Sequence, residues 1–303
     1  MVILNKPIFI KLLVSAIILI VVFNSVDYVI IKSIFENINY TFLLLSFLIL
    51  PISLLIRAYR WHYIMNYRGT ILSWPASLNI FFVGVALNNI LPASSGDIVK
   101  AYFGYKWLGI KERMTFVSIL DKLIALSSIS FLGIFSSIYY GNLIYFSLSL
   151  FPSLPFFLFL LLNNSFLSKN WFLPFKKVLS KIHIEKYLQE VDISISLMIY
   201  CFFLSIIGWL FSFTILWFSF IMVSSDIAIS YVFMVSPILL IVRLFALTIN
   251  GLGTDEAVII YLFSVSGVTP EQSIIASLIY RFILLVFPGI FGIPILISKK
   301  WKF

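Results

Sequence analysis

Cysteine and charged residues are scarce in this chain of 303 residues. Its single cysteine, Cys201, excludes an internal disulfide and any metal cluster held by cysteines. Charged residues make up 11% of the chain, whereas roughly a quarter of the residues are charged in a typical soluble domain. With 62% hydrophobic residues beside so few charges, the chain cannot cover its apolar surface as a water-soluble globule.

The apolar residues are gathered in long runs. Phenylalanine alone occurs 32 times. Each run approaches or exceeds the roughly 20 residues that cross a hydrocarbon core; the runs are 8–26, 40–56, 144–162, 193–223 and 274–297. No small-residue cleavage site follows the first run, so we expect a membrane helix there and not a signal peptide. The pattern predicts an all-α polytopic membrane protein, with residues 1–303 as a single transmembrane domain.

The net charge of +9 lies in a few connecting segments, which argues against a nucleic-acid partner. Of the 21 Lys and Arg, 16 fall in segments that we assign to the cytoplasm, and only Lys32 falls outside. We therefore expect a multi-pass cell-membrane protein whose loop 163–192 and C-terminus are cytoplasmic and attract anionic lipid. Arg57 and Arg60 alternate with aromatics, which predicts an interfacial belt that includes His62.

Two apolar stretches are interrupted by polar residues. Residues 74–111 break at 88–97 and carry basic flanks, whereas residues 231–271 break at 250–256 and have flanks without Lys or Arg. We interpret both as re-entrant helical hairpins, the first opening to the cytoplasm and the second to the outside. A long transmembrane helix follows each hairpin, at 114–138 and 274–297, which gives two units of about 74–138 and 231–297.

The two units align with each other. Asp97 falls on Glu256, and with short gaps Lys122 falls on Arg281. Since the flanking charges orient the hairpins oppositely, the units are predicted to be inverted repeats, an architecture typical of secondary transporters. The identities are few, and chance similarity between apolar sequences is the alternative.

Several motifs resemble those of the lysylphosphatidylglycerol synthase transmembrane-region, or flippase-like, membrane proteins. They extend over most of the chain: Arg60-Trp61, Asn88-Asn89-Ile90-Leu91-Pro92, Gly96-Asp97, Ala101-Tyr102, Asp121-Lys122, Gly251-Leu252-Gly253, Glu256-Ala257, Pro270-Glu271-Gln272 and Tyr280-Arg281. The resemblance implies movement of a lipid or lipid-linked sugar between leaflets. This chain departs from the family pattern at Asn250 and Asp255, where a proline and a basic residue are frequent. It also lacks the aminoacyl-transferase domain of some members, so we do not expect it to make lysylphosphatidylglycerol alone.

The breaks and the intramembrane charges supply the candidate substrate-binding residues. Ser and Thr are good N-caps, and free N–H groups at the start of a half-helix attract anions such as a phosphate headgroup. Broken backbone inside a membrane requires protein or water partners, so we expect a wet cavity. The candidates are Asn89, Ser94, Ser95, Asp97, Lys100, Asp121, Lys122, Arg243, Asn250, Thr254, Asp255, Glu256, Tyr280 and Arg281. We expect no catalytic residue, metal or cofactor.

The acids at the breaks have three possible roles. They pair with nearby bases and hold the hairpins together, they belong to a substrate site in which a headgroup displaces one partner, or one of them takes up a coupling proton or cation. The first two roles are compatible with each other.

Three function classes follow from these features. The first is a lipid flippase or transporter that moves a phospholipid or a polyprenyl-phosphate-linked lipid by alternating access. The second is a membrane-embedded transferase acting on a lipid, for which only Asp97, Asp255 and Glu256 are available. The third is a non-transporting subunit whose loop 163–192 docks a soluble lipid-modifying enzyme. Flipping in reconstituted vesicles separates the first from the second, and a pull-down with the loop identifies the third.

We predict that loop 163–192 and the C-terminus lie on the cytoplasmic side. Cysteines introduced at Lys177 and Lys300 in a Cys201→Ala background should resist a membrane-impermeant thiol reagent in intact cells and react after lysis. A cysteine at Lys32, expected outside, should react in intact cells and is the control. Labelling of either cytoplasmic position in intact cells would contradict the whole orientation.

Overall fold

A computed structural model of the chain describes residues 6–24, 26–67, 71–90, 96–108, 111–154, 194–244, 248 and 251–298. These residues form helices and no strand. The helices are α1 (Lys6–Asn24), α2 (Tyr28–Glu36), α3 (Tyr40–Met65), α4 (Trp74–Ile90), α5 (Gly96–Leu108), α6 (Lys111–Tyr140), α7 (Leu143–Leu150), α8 (Ile195–Met222), α9 (Ile229–Leu244), α10 (Thr254–Ser264) and α11 (Pro270–Ile297), with a 3-10 turn at Phe151–Ser153.

Four of the described helices are long and apolar enough to cross a bilayer: Tyr40–Met65, Met114–Tyr140, Ile195–Met222 and Pro270–Ile297. They match the predicted spans closely and confirm an all-α polytopic membrane protein. Two details differ from the sequence-based expectation. The span predicted at 8–26 is not among these four by itself: its described part qualifies only together with the short helix α2, which was not predicted and is bent from it by 85°. Of the helix expected at 144–162, the structure describes α7 and the 3-10 turn, and the remainder lies outside the described residues.

Side-chain caps explain where several helices begin. Asn39 accepts a hydrogen bond from the backbone N–H of Thr41 at the start of α3, and Ser194 accepts one from Leu197 at the start of α8. At α11, Thr269 and Gln272 form a reciprocal capping box around Pro270. Each cap satisfies an N–H group that has no partner within its own helix, a need that is acute next to hydrocarbon.

The long helices α3 and α8 cross in the middle of the protein through small polar residues. The Ser53 hydroxyl donates to the Gly208 carbonyl at 3.0 Å and lies 3.1 Å from the Ser212 hydroxyl. Nearby, the hydroxyls of Ser128 on α6 and Ser205 on α8 are 2.6 Å apart. In a membrane, small residues allow close backbone approach and serine hydroxyls supply bonds between helices. These contacts hold the centre of the bundle together.

The packing of the remaining helices is reciprocal. Two pairs of short helices pack internally, α4 on α5 and α9 on α10. We call the two helices of a pair its first and second arms. The long helix that follows each pair packs on the second arm, α6 on α5 and α11 on α10. The first arm α4 packs against α11, and the first arm α9 packs against α6. Each pair of short helices therefore contacts the long helix that follows the other pair.

We predict that Gly292→Ala destabilises the protein by disturbing the contact between α11 and α4. A Cβ at Gly292 would lie 2.5 Å from both the Ala86 Cβ and the Phe82 carbonyl oxygen, and such overpacking costs about 1–3 kcal/mol. Thermal unfolding in detergent measures the effect. Gly289→Ala on the same helix is the matched control, because its Cβ would meet only the Ile293 Cδ1, at 3.8 Å. Equal melting temperatures for the two variants would contradict the close packing.

Candidate functional site

A cavity of about 500 Å³ lies among α3–α6 and α8–α11. Its walls are mostly apolar, but charged side chains from six helices reach it. Within the described lining there are six basic residues, Arg57, Arg60, Lys100, Lys122, Arg243 and Arg281, and three carboxylates, Asp121, Asp255 and Glu256. The lining therefore carries more positive than negative charge, which favours an anionic occupant.

The first group of charges, the Asp121 cluster, joins three helices. Asp121 on α6 accepts a hydrogen bond from the Arg60 Nε on α3 at 2.7 Å, and its other oxygen lies 3.6 Å from the Lys100 Nζ on α5. The same Lys100 Nζ lies 5.5 Å from the centre of the Phe81 ring. These side chains are only 4% and 5% exposed. Charges so far from water are tolerated because each meets an opposite charge.

The second group, the Asp255 cluster, joins helices α9, α10 and α11 around the second break. One oxygen of Asp255 on α10 lies 2.6 Å from an Arg243 nitrogen on α9 and 3.1 Å from an Arg281 nitrogen on α11. The Glu256 Oε1 lies 3.0 Å from the same Arg281 nitrogen, and the Arg281 Nε donates to it as well. Glu256 is further fixed because its Oε2 accepts the backbone N–H of Gly253 at 2.7 Å.

Two glycines allow the backbone to make this break. Gly251 and Gly253 have φ values of 72° and 83°, a region that side chains other than glycine rarely adopt. A Cβ at Gly251 would lie 2.4 Å from an Asp255 oxygen, and one at Gly253 would lie 2.9 Å from Ile18 on α1. The Thr254 hydroxyl donates to the Gly251 carbonyl at 3.1 Å. The glycines therefore bring the Asp255 and Glu256 carboxylates to the start of α10, where the helix dipole favours negative charge.

The two clusters differ in their contact with the cavity interior. In the Asp255 cluster the Arg243 side chain is 30% exposed and the Arg281 side chain 18% exposed, whereas the Asp121 cluster is almost fully enclosed. A molecule in the cavity can therefore contact Arg243 and Arg281 without disrupting the helix packing. The Asp121 cluster links three helices, whereas the two arginines of the Asp255 cluster are partly exposed.

The structure brings most of the described candidate residues together. Lys100, Asp121, Lys122, Arg243, Asp255, Glu256, Tyr280 and Arg281 all line the cavity, and Thr254 lies at the break beside it. Ser94, Ser95 and Asn250 lie outside the described residues, and so do the side chains of Asn89 and Asp97. The predicted equivalence of Asp97 and Glu256 stays a prediction for that reason.

Two basic residues of the site were assigned wrongly from the sequence. Arg60 and Arg57 were interpreted as interfacial anchors, yet Arg60 is buried on Asp121 and both line the cavity. The Arg57 guanidinium lies 5.3 Å from the centre of the Trp209 ring. Their aromatic neighbours on α3 concealed them. A signal was present for Arg57, because it follows helical spacing with the apolar residues Leu50, Leu54 and Trp61.

Known proteins resemble this chain over nearly its whole length. A family model described as "Lysylphosphatidylglycerol synthase TM region" matches residues 8–292. The UPF0104 membrane protein MJ1595 of Methanocaldococcus jannaschii is 25% identical over 292 residues, which covers 87% of this chain and 87% of that protein. The matched region includes both charged clusters.

We predict that Asp121→Asn strongly destabilises the protein. The substitution keeps the side-chain shape but removes the carboxylate between Arg60 and Lys100, and breaking a buried pair in this way costs about 3–5 kcal/mol. Thermal unfolding in detergent and the yield of monodisperse protein measure the loss. Asp226→Asn removes the same charge from an exposed position between α8 and α9 and should be neutral. Similar stability of both variants would show that the cluster does not hold the helices.

Proposed function

The chain belongs to the lysylphosphatidylglycerol synthase TM region family, and from this premise we propose that it moves a lipid with a phosphate headgroup between the leaflets of the cell membrane. The substrate class is a phospholipid or a polyprenyl-phosphate-linked lipid. The observation that carries the proposal is the central cavity, which lies inside an apolar bundle and is lined by two partly exposed arginines that share the Asp255 carboxylate.

The charges suit such a substrate. The non-bridging oxygens of a phosphate match the planar fork of a guanidinium, and charge-assisted bonds of this kind are among the strongest in proteins. Arg243 and Arg281 approach from different helices, so together they can hold a phosphate from two sides. A polar headgroup that crosses hydrocarbon needs a polar route, and a charged cavity inside a membrane protein supplies one.

Alternating access through inverted repeats is part of the proposal. The reciprocal packing supports it, since α4 contacts α11 and α9 contacts α6, as expected for two units related by a pseudo-twofold axis. The hydrogen bond between Ser53 and Ser212 fits the same relation, because these residues lie the same distance apart in the chain as Asp97 and Glu256. The hairpins are proposed to be re-entrant from opposite sides, with loop 163–192 and the C-terminus cytoplasmic.

We predict that Arg281→Ala slows lipid movement. Purified protein in vesicles would be assayed with a fluorescent phosphatidylglycerol and with a fluorescent polyprenyl phosphate, using a membrane-impermeant quencher to follow exposure of the label. Loss of a charge-assisted bond worth about 1.5–3 kcal/mol should lower the rate by about tenfold or more. Lys32→Ala removes the same charge from a side chain that is 79% exposed and should leave the rate unchanged.

Arg281→Lys separates this role from a loss of folding. The lysine keeps the positive charge beside Asp255 and Glu256 but loses the planar fork, so we expect a folded protein with an intermediate rate. Equal rates for the wild type, Arg281→Ala and Lys32→Ala would refute the proposed function.

A further inference from the structure

Among the described residues that line the cavity, two apolar side chains are exposed. Leu244 is 45% exposed and Leu285 is 47% exposed, whereas the other described lining residues are buried or half-buried. Leu244 ends α9 and Leu285 lies midway along α11. Apolar side chains that are exposed and also line a charged cavity mark a place where the cavity meets an apolar medium, which for this protein is lipid.

Each of these leucines is next to one of the two accessible arginines. Leu244 directly follows Arg243, and Leu285 lies one helical turn after Arg281 on the same face of α11. The two arginines approach one another closely, since a nitrogen of each lies within 3.1 Å of the same Asp255 oxygen. The rim of the cavity therefore changes from apolar to cationic within one residue on α9 and within one turn on α11.

Charged side chains join α9 and α11 at this place. Both helices pack on α8 and on α10, whereas the described residues of α9 and α11 pack less extensively on each other. Asp255 links the two helices, because it joins Arg243 to Arg281. Exchange of that carboxylate for another anion is therefore compatible with the packing around it.

We propose that a phosphate lipid enters the cavity laterally between α9 and α11, and that its phosphate takes the place of the Asp255 carboxylate between Arg243 and Arg281. The lipid chains stay in the bilayer against Leu244 and Leu285. This inference rests on the proposed function and specifies where the substrate enters and what it displaces. The order of groups along the rim, apolar outside and cationic inside, matches the order of chains and phosphate along a lipid.

In this scheme the Asp255 carboxylate occupies the phosphate position until a substrate binds, and we call this its placeholder role. Without a substrate, Asp255 and Glu256 together balance the charges of Arg243 and Arg281, and Asp255 meets both arginines. Glu256 does not move, because Gly253 and Arg281 both hold it. A cavity of about 500 Å³ lies within the size range of ligand pockets, and chains that remain in the bilayer lose none of their apolar environment.

Photo-crosslinking of the wild-type protein tests the entry site. Vesicles would contain phosphatidylglycerol with a diazirine on one acyl chain, and labelled peptides would be identified by mass spectrometry. We expect labels at Leu244 and Leu285 that unlabelled phosphatidic acid in about tenfold excess reduces by about tenfold, as for competition at one site. Leu48 on α3 is 60% exposed and does not line the cavity. Its label should decrease only in proportion to the lower mole fraction of the diazirine lipid in the vesicle. Labels at 244 and 285 that behave like the label at 48 would overturn the proposal.

Asp255→Asn tests the placeholder. The variant lacks the competing carboxylate, so phosphatidic acid in mixed micelles should raise its melting temperature more than it raises that of the wild type. Water-soluble glycerol 3-phosphate in a parallel series distinguishes a free phosphate from a lipid: a comparable rise with both would show that the chains do not contribute and would overturn lateral entry. No greater rise with lipid than in the wild type would overturn the exchange.

The outcome for entry can be told apart from the outcome for flipping. The double variant Leu244→Trp/Leu285→Trp narrows the proposed opening and should slow flipping and reduce the competed label, whereas Leu48→Trp should do neither. If phosphatidic acid reduces the labels at 244 and 285 but the protein moves no lipid, the entry site is supported and the transport function is refuted. Normal flipping by the double tryptophan variant would retain the function and refute this route.

Discussion

Opposite charges that meet inside an apolar bundle set the arrangement of the helices in this protein. An ionised side chain surrounded by hydrocarbon is costly, and the cost is removed only when another helix delivers its partner. Asp121 receives Arg60 and Lys100 from two other helices, and Asp255 receives Arg243 and Arg281 from two others. Each carboxylate thus joins three elements, and the cavity is the space that remains between the two joined groups.

The two clusters exchange charges between corresponding helices in part. In the first, the carboxylate is on the long helix α6 and one base is on the short helix α5; in the second, the carboxylates are on the short helix α10 and one base is on the long helix α11. The other base differs in position, because Arg60 lies on α3 and Arg243 lies on α9. Burial then separates their roles. The side chains of the Asp121 cluster are enclosed, whereas Arg243 and Arg281 are partly exposed. In the proposed function, only the second cluster exchanges a carboxylate for the substrate phosphate.

Hydrophobic contact alone does not hold transmembrane helices together, because lipid chains are as apolar as the side chains they would replace. Small residues and glycines therefore determine where this bundle packs closely. Ser53 and Gly208 bring α3 and α8 together, and Gly292 brings α11 against α4. These contacts fix the positions from which the charged side chains reach each other. The reciprocal order of packing gives the cavity walls from both halves of the chain.

The membrane class, the long helices and the positions of the two breaks could be predicted from the sequence, because hydropathy over some 20 residues and the polar residues at a break are local properties of the chain. Lys100, Arg243 and Arg281 could be selected as candidates because they interrupt or adjoin apolar segments. The pairing of bases with acids could not be predicted, since partners such as Arg60 and Asp121 lie far apart in the chain and meet only through the fold. Local aromatic neighbours made Arg60 resemble an interfacial anchor, and its burial depends on the packing of α3 against α6, which no local pattern specifies.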